Sequence, residues 1–487
     1  MREIELKLEV NPDDLPLVRQ YPLLARAPSR SVHQITVYYD TPETKLKKHG
    51  LTLRVRSAGG KFVQTVKASS DTVGLVSREE IECEVPSLKP DLSLLEPHPL
   101  HALLPKGKDG QLVPMIVSDV DRTSWQLKEN GEHIQVDLDH GTISAGEHRG
   151  EFAELEFELR DGPAASLIIA ARRFVDHVPA RLGVLTKAER GSLIAEGALG
   201  KVAKAGHVHV TDSMDVAEAF AIIVHACIKH YRLNEPVVLE QRIPAALHQA
   251  RVAMRRLRSA LTLFRPAIED VEFQHLRNEL RWFTGELGDA RNLDVYLERD
   301  LDAATRAELM TRRERAYDAV FDAMNSHRFR RLLIDLVGWT AIGAWRTGKL
   351  ASRPVSSFAG RRLDRLWNAI TTLGADLEHL DEETRHRVRI EGKKLRYAIE
   401  FLRGVYPEAR PEEKRLAAAL EQLQESLGKL NDMATAKTLV APVPADESWL
   451  IGSLDERKLL VAARDAMREL LRTGRFWSCP AEAAPAS

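Results

Sequence analysis

A chain of 487 residues, 44% hydrophobic and 29% charged, has the length and composition of a soluble globular protein of two or three domains. Its 70 basic and 71 acidic residues leave a formal net charge of −1, which excludes specific nucleic-acid affinity for the molecule as a whole but not local basic and acidic sites that cancel. The N-terminus is charged from Arg2, no apolar run reaches membrane-spanning length, and Cys83, Cys227 and Cys479 have no metal-ligand spacing, so a cytoplasmic protein with free thiols and no membrane partner is expected.

Met1–Val10 alternates at period two. Glu3, Glu5, Lys7 and Glu9 fall on one face, and Ile4, Leu6, Leu8 and Val10 on the other. Asn11-Pro12-Asp13-Asp14 suits a turn and cap for a short helix over 15–20. Gln34–Asp40 is β-rich and stops at Thr41-Pro42. Leu51–Arg56 sets Arg54 and Arg56 opposite Leu53 and Val55, and Lys61–Lys67 follows through Gly59-Gly60, a hairpin signal. Glu80, Glu82 and Glu84 share one parity, Ile134–Asp139 brings Asp137 and Asp139 together, and Glu154–Leu159 sets Glu154, Glu156 and Glu158 opposite Leu155, Phe157 and Leu159.

Seven or eight such strands predict a closed antiparallel sheet. One row supplies only cations (Arg54, Arg56) and another only anions (Glu154, Glu156, Glu158). Two arrangements fit. The charges line a lumen that takes a polyanion with a divalent metal, and helices at 164–178 and 188–197 cover the apolar faces from outside. Alternatively, the charged face is solvated and its rows pair across strands.

The ordered set Glu3-x-Glu5-x-Lys7, Tyr38-Tyr-Asp-Thr41, Leu53-Arg-Val-Arg56, Thr65-Val-Lys67, Asp119-Val-Asp-Arg122, Glu154-Leu-Glu-Phe-Glu158 and Thr186-Lys-Ala-Glu-Arg-Gly191 resembles the CYTH family. These triphosphate tunnel metalloenzymes include class IV adenylyl cyclases, thiamine triphosphatases and inorganic triphosphatases. The resemblance implies an eight-stranded antiparallel tunnel binding triphosphate with Mg²⁺ or Mn²⁺. By position, Lys7, Arg54, Arg56, Lys67, Arg122, Lys187 and Arg190 would grip phosphate oxygens. Glu3, Glu5, Glu154 and Glu156 would hold metal, with Glu158 and Glu80 secondary, and Glu3, Glu5, Lys7 and Lys187 would carry the catalysis. Thr186 replaces a common serine and keeps the hydroxyl.

From residue 211 the periodicity turns helical, with Asp212 or Ser213 expected to cap the first helix. In His248–Arg258, at about 100° per residue, His248, Arg251, Arg255 and Arg258 fall within roughly 80°, with Ala250, Met254, Leu257 and Leu261 opposite. The pattern returns as His386–Arg396, with Arg389, Lys393, Lys394 and Arg396 at an offset of 138 residues; Leu287-Gly288 returns as Leu427-Gly428 at an offset of 140. This is an internal duplication, expected as two four-helix bundles. A basic helix face is often just solvated. Two copies with the same cations instead suggest one channel for an extended polyanion, formed by His248, Arg251, Arg255, Arg256, Arg258, His386, Arg389, Lys393, Lys394 and Arg396. This half resembles the CHAD domain, a helical module associated with polyphosphate.

The expected architecture is therefore α+β and multidomain: a tunnel over 1–200, a linker over 201–211, a duplicated helical domain over 212–440, a helical extension over 441–476 and a disordered tail over 477–487. The expected activity is metal-dependent hydrolysis of inorganic triphosphate to pyrophosphate and phosphate, with long-chain polyphosphate as partner of the helical half. The rivals are a nucleoside or thiamine triphosphatase, an adenylyl cyclase, and a non-catalytic polyphosphate-binding scaffold.

Overall fold

A computed structural model describes residues 3–68, 75–78, 80–95, 111–129, 131–440 and 456–477. The chain divides into two compact units. The first takes in residues 1–204, 228–246 and 322–343, and the second residues 205–227, 247–321 and 344–487.

The first unit is built on ten strands: β1 (Glu3–Val10), β2 (Ser29–Asp40), β3 (Leu51–Ala58), β4 (Lys61–Ala68), β5 (Leu75–Arg78), β6 (Glu80–Val85), β7 (Val113–Glu129), β8 (Glu132–Ala145), β9 (His148–Asp161) and β10 (Arg181–Leu182). They pair antiparallel in the order β10-β1-β9-β8-β7-β2-β3-β4-β6, with β5 on β1. Among the described residues the strands number ten where eight were expected, and the ladder is an open order rather than a ring. Its two ends are nonetheless served by successive pieces of chain, β5 pairing with β1 and β6 with β4.

The short helices α1 (Leu15–Gln20), α2 (Pro22–Arg26) and α3 (Lys45–Lys48) fill the connections, and α4 (Ala165–Val175) and α5 (Lys187–Ala195) follow the long strands. Leu6, Leu8 and Val10 of β1, Val136 and Leu138 of β8, and Leu155 and Phe157 of β9 form one core with Val18, Leu24, Leu167 and Phe174 of α1, α2 and α4. Each such side chain contributes on the order of 1.5–3 kcal/mol when fully buried. This fixes which face of the sheet is apolar and leaves Lys7, Glu154 and Glu156 on the other.

Helix α5 does not join that cover. Its Ile194 packs with Tyr38, Ile116, Val120, Ile143 and Phe152, and Phe152 has the parity of Glu154 and Glu156. The stretch 188–197 therefore lies on the charged face, not outside it as expected. Asp40 anchors α3, since its carboxylate accepts from the amides of Leu46 at 2.8 Å and Lys47 at 3.0 Å.

The helical sequence supplies α6 (Val216–Gln241), α7 (Pro244–Ile268), α8 (Phe273–Leu297), α9 (Ala303–Asn325), α10 (His327–Ile342), α11 (Val355–Leu373), α12 (Glu382–Leu402), α13 (Arg410–Val440) and α14 (Glu456–Thr473). Helix α6 is capped by Asp215, not Asp212 or Ser213: the Asp215 carboxylate accepts from the Glu218 amide at 2.8 Å and the Glu218 carboxylate from the Asp215 amide at 3.0 Å. Residues 228–241 of α6 and all of α10 belong to the first unit, where Ile334 of α10 enters the sheet's core.

In the second unit Ala250, Met254, Leu257 and Leu261 of α7 are fully buried, as their spacing predicts. Phe220 meets Phe264 at 5.4 Å and Trp345 at 5.3 Å between ring centroids. No described helix is long and apolar enough to cross a membrane. The expected tail over 477–487 lies outside the described residues except Trp477, and so does the first part of the expected extension, 441–455.

Candidate functional site

Strand register brings the first unit's charges together. Across the β1/β9 pairing Lys7 faces Glu156, and across β9/β8 Glu156 faces Asp137 while Glu154 faces Asp139. Across β8/β7, Asp139 faces Arg122. The Lys7 ammonium lies 3.0 Å from Glu156 and 3.3 Å from Glu154. Arg122 forks onto Asp139 with two contacts of 2.6 Å and reaches Asp137 at 3.1 Å and Glu156 at 2.8 Å. Lys187 arrives from the start of α5, 2.8 Å from Asp139 and 3.6 Å from Glu156, and also bonds Glu154. Three cations thus meet four carboxylates on a face largely closed to water: the Glu154 side chain is 0% exposed, Lys187 12% and Lys7 13%. The rows do pair across strands, but the face they form is not solvated.

Burial alone would raise the Glu156 carboxyl, but Lys187, Lys7 and Arg122 hold it well below the usual carboxylate range. Asp139 is depressed likewise by Lys187 and Arg122 against burial. Burial would lower Lys187, yet Asp139, Glu154 and Glu156 keep it well above the ordinary lysine value, and Glu154 and Glu156 raise Lys7 in the same way.

The local sequence explains this geometry. Gly183 follows β10 and donates its amide to the Lys7 carbonyl at 2.8 Å. A Cβ there would stand 2.6 Å from Lys7 Cγ, so only glycine lets the lysine stem pass. Thr186 caps α5 in a reciprocal box with Glu189, its hydroxyl accepting from the Glu189 amide at 3.2 Å and its own amide donating to Glu189 Oε2 at 2.8 Å. The box aims Lys187, the first helical residue, at the carboxylates. A Cβ on Gly191 would meet Ile116 at 2.5 Å, so glycine seats α5 against β7.

Asp139, Glu154 and Glu156 each offer an oxygen within 4.8 Å of the others, and Glu154 Oε2 is buried without a hydrogen-bond partner. Hard oxygen donors in this cluster fit Mg²⁺ or Mn²⁺. Asp139 was not among the ligands suggested by the sequence; its partner Glu154 follows from register, which the sequence does not print. Glu5 is close enough to raise Lys7. For Glu3 and Glu80 only the backbone is described: Glu3 pairs with Arg78 and Glu80 with Lys67. Glu158 is salt-bridged to Arg160 at 2.6 Å.

Among the expected phosphate ligands, Arg56 lies 3.9 Å from Glu82 and is lowered by burial and by Arg54 and Arg122, so these three guanidiniums share one region beside Glu156. Lys67 sits on β4 opposite Thr52 of β3. Arg190 donates to Glu9 at 2.6 Å and lies 5.7 Å from the Phe152 ring.

In the second unit the duplicated faces converge. Arg251 is pushed down to about 10 by burial and then by Arg255, Arg291 and Arg389, with Asp289 opposing. Arg389 belongs to the second copy, so cations of both copies crowd together. The duplication is geometric too: a Cβ on Gly288 would lie 3.9 Å from Arg251, and one on Gly428 3.8 Å from Arg389. His248 is lowered by burial, Arg291, Arg255 and Arg251. Arg255 donates to the Tyr397 hydroxyl at 3.0 Å, and Arg258, exposed, donates to Thr284 at 2.9 Å near Arg281 and Arg277. His386 is exposed and 2.5 Å from Asn431. Lys393 is half-buried, Lys394 bonds Glu391 at 2.6 Å, and the Arg396 guanidinium lies 4.6 Å from the Tyr397 ring centroid. Arg256 separates from this group. It is 1% exposed, bonds Glu400 at 2.6 Å and lies over the Phe401 ring, because it stands about 100° round the helix from Arg255.

Two family models match the chain, and their bounds are not those of the compact units. Residues 1–191 match the CYTH domain and residues 222–441 the CHAD domain. The chain thus carries a CYTH domain followed by a CHAD domain. Among relatives, it is 30% identical to an inorganic triphosphatase of Haemophilus influenzae over 208 residues, 40% of this chain and 55% of that protein, so the match spans about half of that relative's length. It is 26% identical over 403 residues to an uncharacterised protein of Mycobacterium tuberculosis, 74% of each chain. The crystal structure of a CHAD domain from the plant Ricinus communis is similar at 29% identity and TM-score 0.48, covering 56% of this chain and 97% of that one.

Proposed function

We propose that the first unit hydrolyses inorganic triphosphate to pyrophosphate and phosphate with Mg²⁺ or Mn²⁺, and that the basic face of the second unit binds long-chain polyphosphate. The observation that carries the first part is the buried cluster of Asp139, Glu154 and Glu156, with one Glu154 oxygen unpartnered, ringed by Lys7, Lys187 and Arg122. Asp139, Glu154 and Glu156 hold the metal, and Glu5, which acts on Lys7, is a further carboxylate of the site. The metal, when bound, neutralises phosphate oxygens and lowers the pKa of water, as divalent ions do in phosphoryl chemistry.

Lys7 and Lys187 share their carboxylates with the ion and turn their remaining N–H donors to phosphate. Burial, Arg54 and Arg122 disfavour the charge of Arg56, and a chain of anionic oxygens, to which guanidinium forks are matched, relieves it. Water adds at the terminal phosphorus, the bridging P–O bond breaks, and the cations stabilise the charge gathering on the leaving pyrophosphate. The triphosphatase activity of the Haemophilus influenzae relative favours this substrate. In the second unit, repulsion among Arg251, Arg255, Arg291 and Arg389 supports a polyanion as ligand.

Phosphate release is measured from triphosphate, ATP, thiamine triphosphate and long-chain polyphosphate, with and without EDTA. Triphosphate should be the preferred substrate, EDTA should abolish release, and added Mg²⁺ or Mn²⁺ should restore it. Undiminished turnover in excess EDTA overturns the metal assignment, and preference for a nucleotide overturns the substrate.

A further inference from the structure

Helix α5 carries Lys187 and Arg190 onto the charged face, and two cations of α6 hold it there. Lys229 and Arg232 are three residues apart and so share one side of that helix. The Lys229 ammonium lies 2.5 Å from Glu189 Oε1. The other oxygen of Glu189 accepts from the amide and hydroxyl of Thr186 at 2.8 and 3.0 Å, which closes the cap of α5. Arg232 donates to Glu9 Oε2 at 2.8 Å, while Glu9 Oε1 accepts from Arg190 at 2.6 Å. Each carboxylate is thus shared between one cation of α6 and one group of α5. Arg232 is itself fixed by the Leu182 carbonyl at 2.7 Å and by Glu235, which also accepts from Arg181 at 2.5 Å.

A surface pair at this spacing contributes little, but this one is not isolated. Arg232 is buried, and Lys229 holds Glu189 below its usual range against the effect of burial. Residues 228–246 lie within the CHAD match by sequence and within the sheet unit by structure. A chain cut at 204 loses both contacts.

We propose that Lys229 and Arg232 are positioning residues for the triphosphate site. By clamping Glu189 and Glu9 they hold α5 so that Lys187 and Arg190 stay in place. The kinetic part of this rests on the triphosphatase reading above; the structural part does not.

The test uses the full chain with Lys229→Met, Lys229→Arg and Arg232→Lys. Two quantities are read: hydrogen exchange of the α5 amides relative to those of β9, and kcat and KM for triphosphate with Mg²⁺. Lys229→Met should speed α5 exchange several-fold while β9 stays protected. It should also lower kcat about tenfold, within what a small misplacement of a positioned group can cost, with KM less affected. Lys229→Arg should restore both. Arg232→Lys, which keeps a charge in a buried position, should loosen α5 without unfolding the sheet. Unchanged α5 protection in Lys229→Met and Arg232→Lys overturns the proposal. A parent chain without turnover on triphosphate refutes the triphosphatase reading instead, and the exchange comparison still decides the positioning role.

Discussion

Arg251 and Arg256 stand five residues apart on α7, and only the removal of Arg256 should cost stability. Arg256 is sealed in the core with one nitrogen on Glu400 at 2.6 Å and its guanidinium 5.4 Å from the Phe401 ring. Removing one member of a buried pair costs about 3–5 kcal/mol because the other charge is stranded. Glu400 is 27% exposed and regains some water, which brings the expected loss for Arg256→Met to about 3 kcal/mol. Arg251 has the reverse environment. Burial and three neighbouring arginines push it from 12.5 down to about 10, so its charge is held against an electrostatic cost. Partial exposure screens that cost, and Arg251→Met should leave stability unchanged or raise it by about 1 kcal/mol. Ligand binding should show the opposite ranking: Arg251→Met weakens polyphosphate binding and flattens its salt dependence, whereas folded Arg256→Met binds nearly as the parent does. Urea titration and calorimetry with long-chain polyphosphate at two salt concentrations give both quantities. Arg251→Met destabilised as strongly as Arg256→Met, with equal loss of binding, would refute the assignment of one arginine to the core and the other to the ligand.

Two further outcomes follow from single sites. Gly183→Ala forces a Cβ to within 2.6 Å of Lys7 Cγ, so Lys7 must shift and triphosphate turnover should fall at least about tenfold with the fold intact; steady-state kinetics beside a thermal melt checks this. His225 is buried with neither ring nitrogen partnered, and burial, then Arg346, pushes it from 6.5 down to about 4. The unfolded chain takes up the proton first, so the stability contribution is complete above pH 6.5 and is lost as pH falls toward 4. The total is about 3 kcal/mol, and His225→Phe should flatten the urea-midpoint profile over that window.

The charged rows were legible because a strand repeats every two residues: Lys7, Arg54, Arg56, Glu154 and Glu156 announce their face by parity alone. What each charge meets was not, since contacts across strands depend on register. Asp139 illustrates this, an ordinary carboxylate in β8 until the ladder sets it opposite Glu154 and Arg122. Helix α5 failed differently. Its apolar side is visible in the sequence, but amphipathicity says only that a stripe is buried, not which side of a sheet it meets. The duplication was readable from spacing, and Gly288 beside Arg251 and Gly428 beside Arg389 give it a physical reason. Arg256 joined the basic set as a neighbour of Arg255, although one step along a helix turns it toward the core. Nothing local signals that α10 and the end of α6 join the sheet unit, because contacts such as Arg330 with the Val175 carbonyl at 3.1 Å bridge distant stretches of chain.

The near-neutral chain therefore conceals two charged clusters with different balances. At the first, three cations answer four carboxylates within a buried cluster, so a bare polyanion brings repulsion from the carboxylates along with attraction from the lysines and arginines. A polyanion that comes with a divalent cation satisfies both signs at once. Any interactions it made there would be largely shielded from salt by burial. At the second, Arg251, Arg255, Arg291 and Arg389 crowd one another, with Asp289 the opposing charge felt at Arg251. Such a face is relieved by anionic oxygens alone, and its partial exposure leaves it open to screening. Metal dependence should thus belong to hydrolysis and strong salt dependence to polyphosphate binding, a division set by which signs of charge each cluster gathers rather than by the count of charges in the chain.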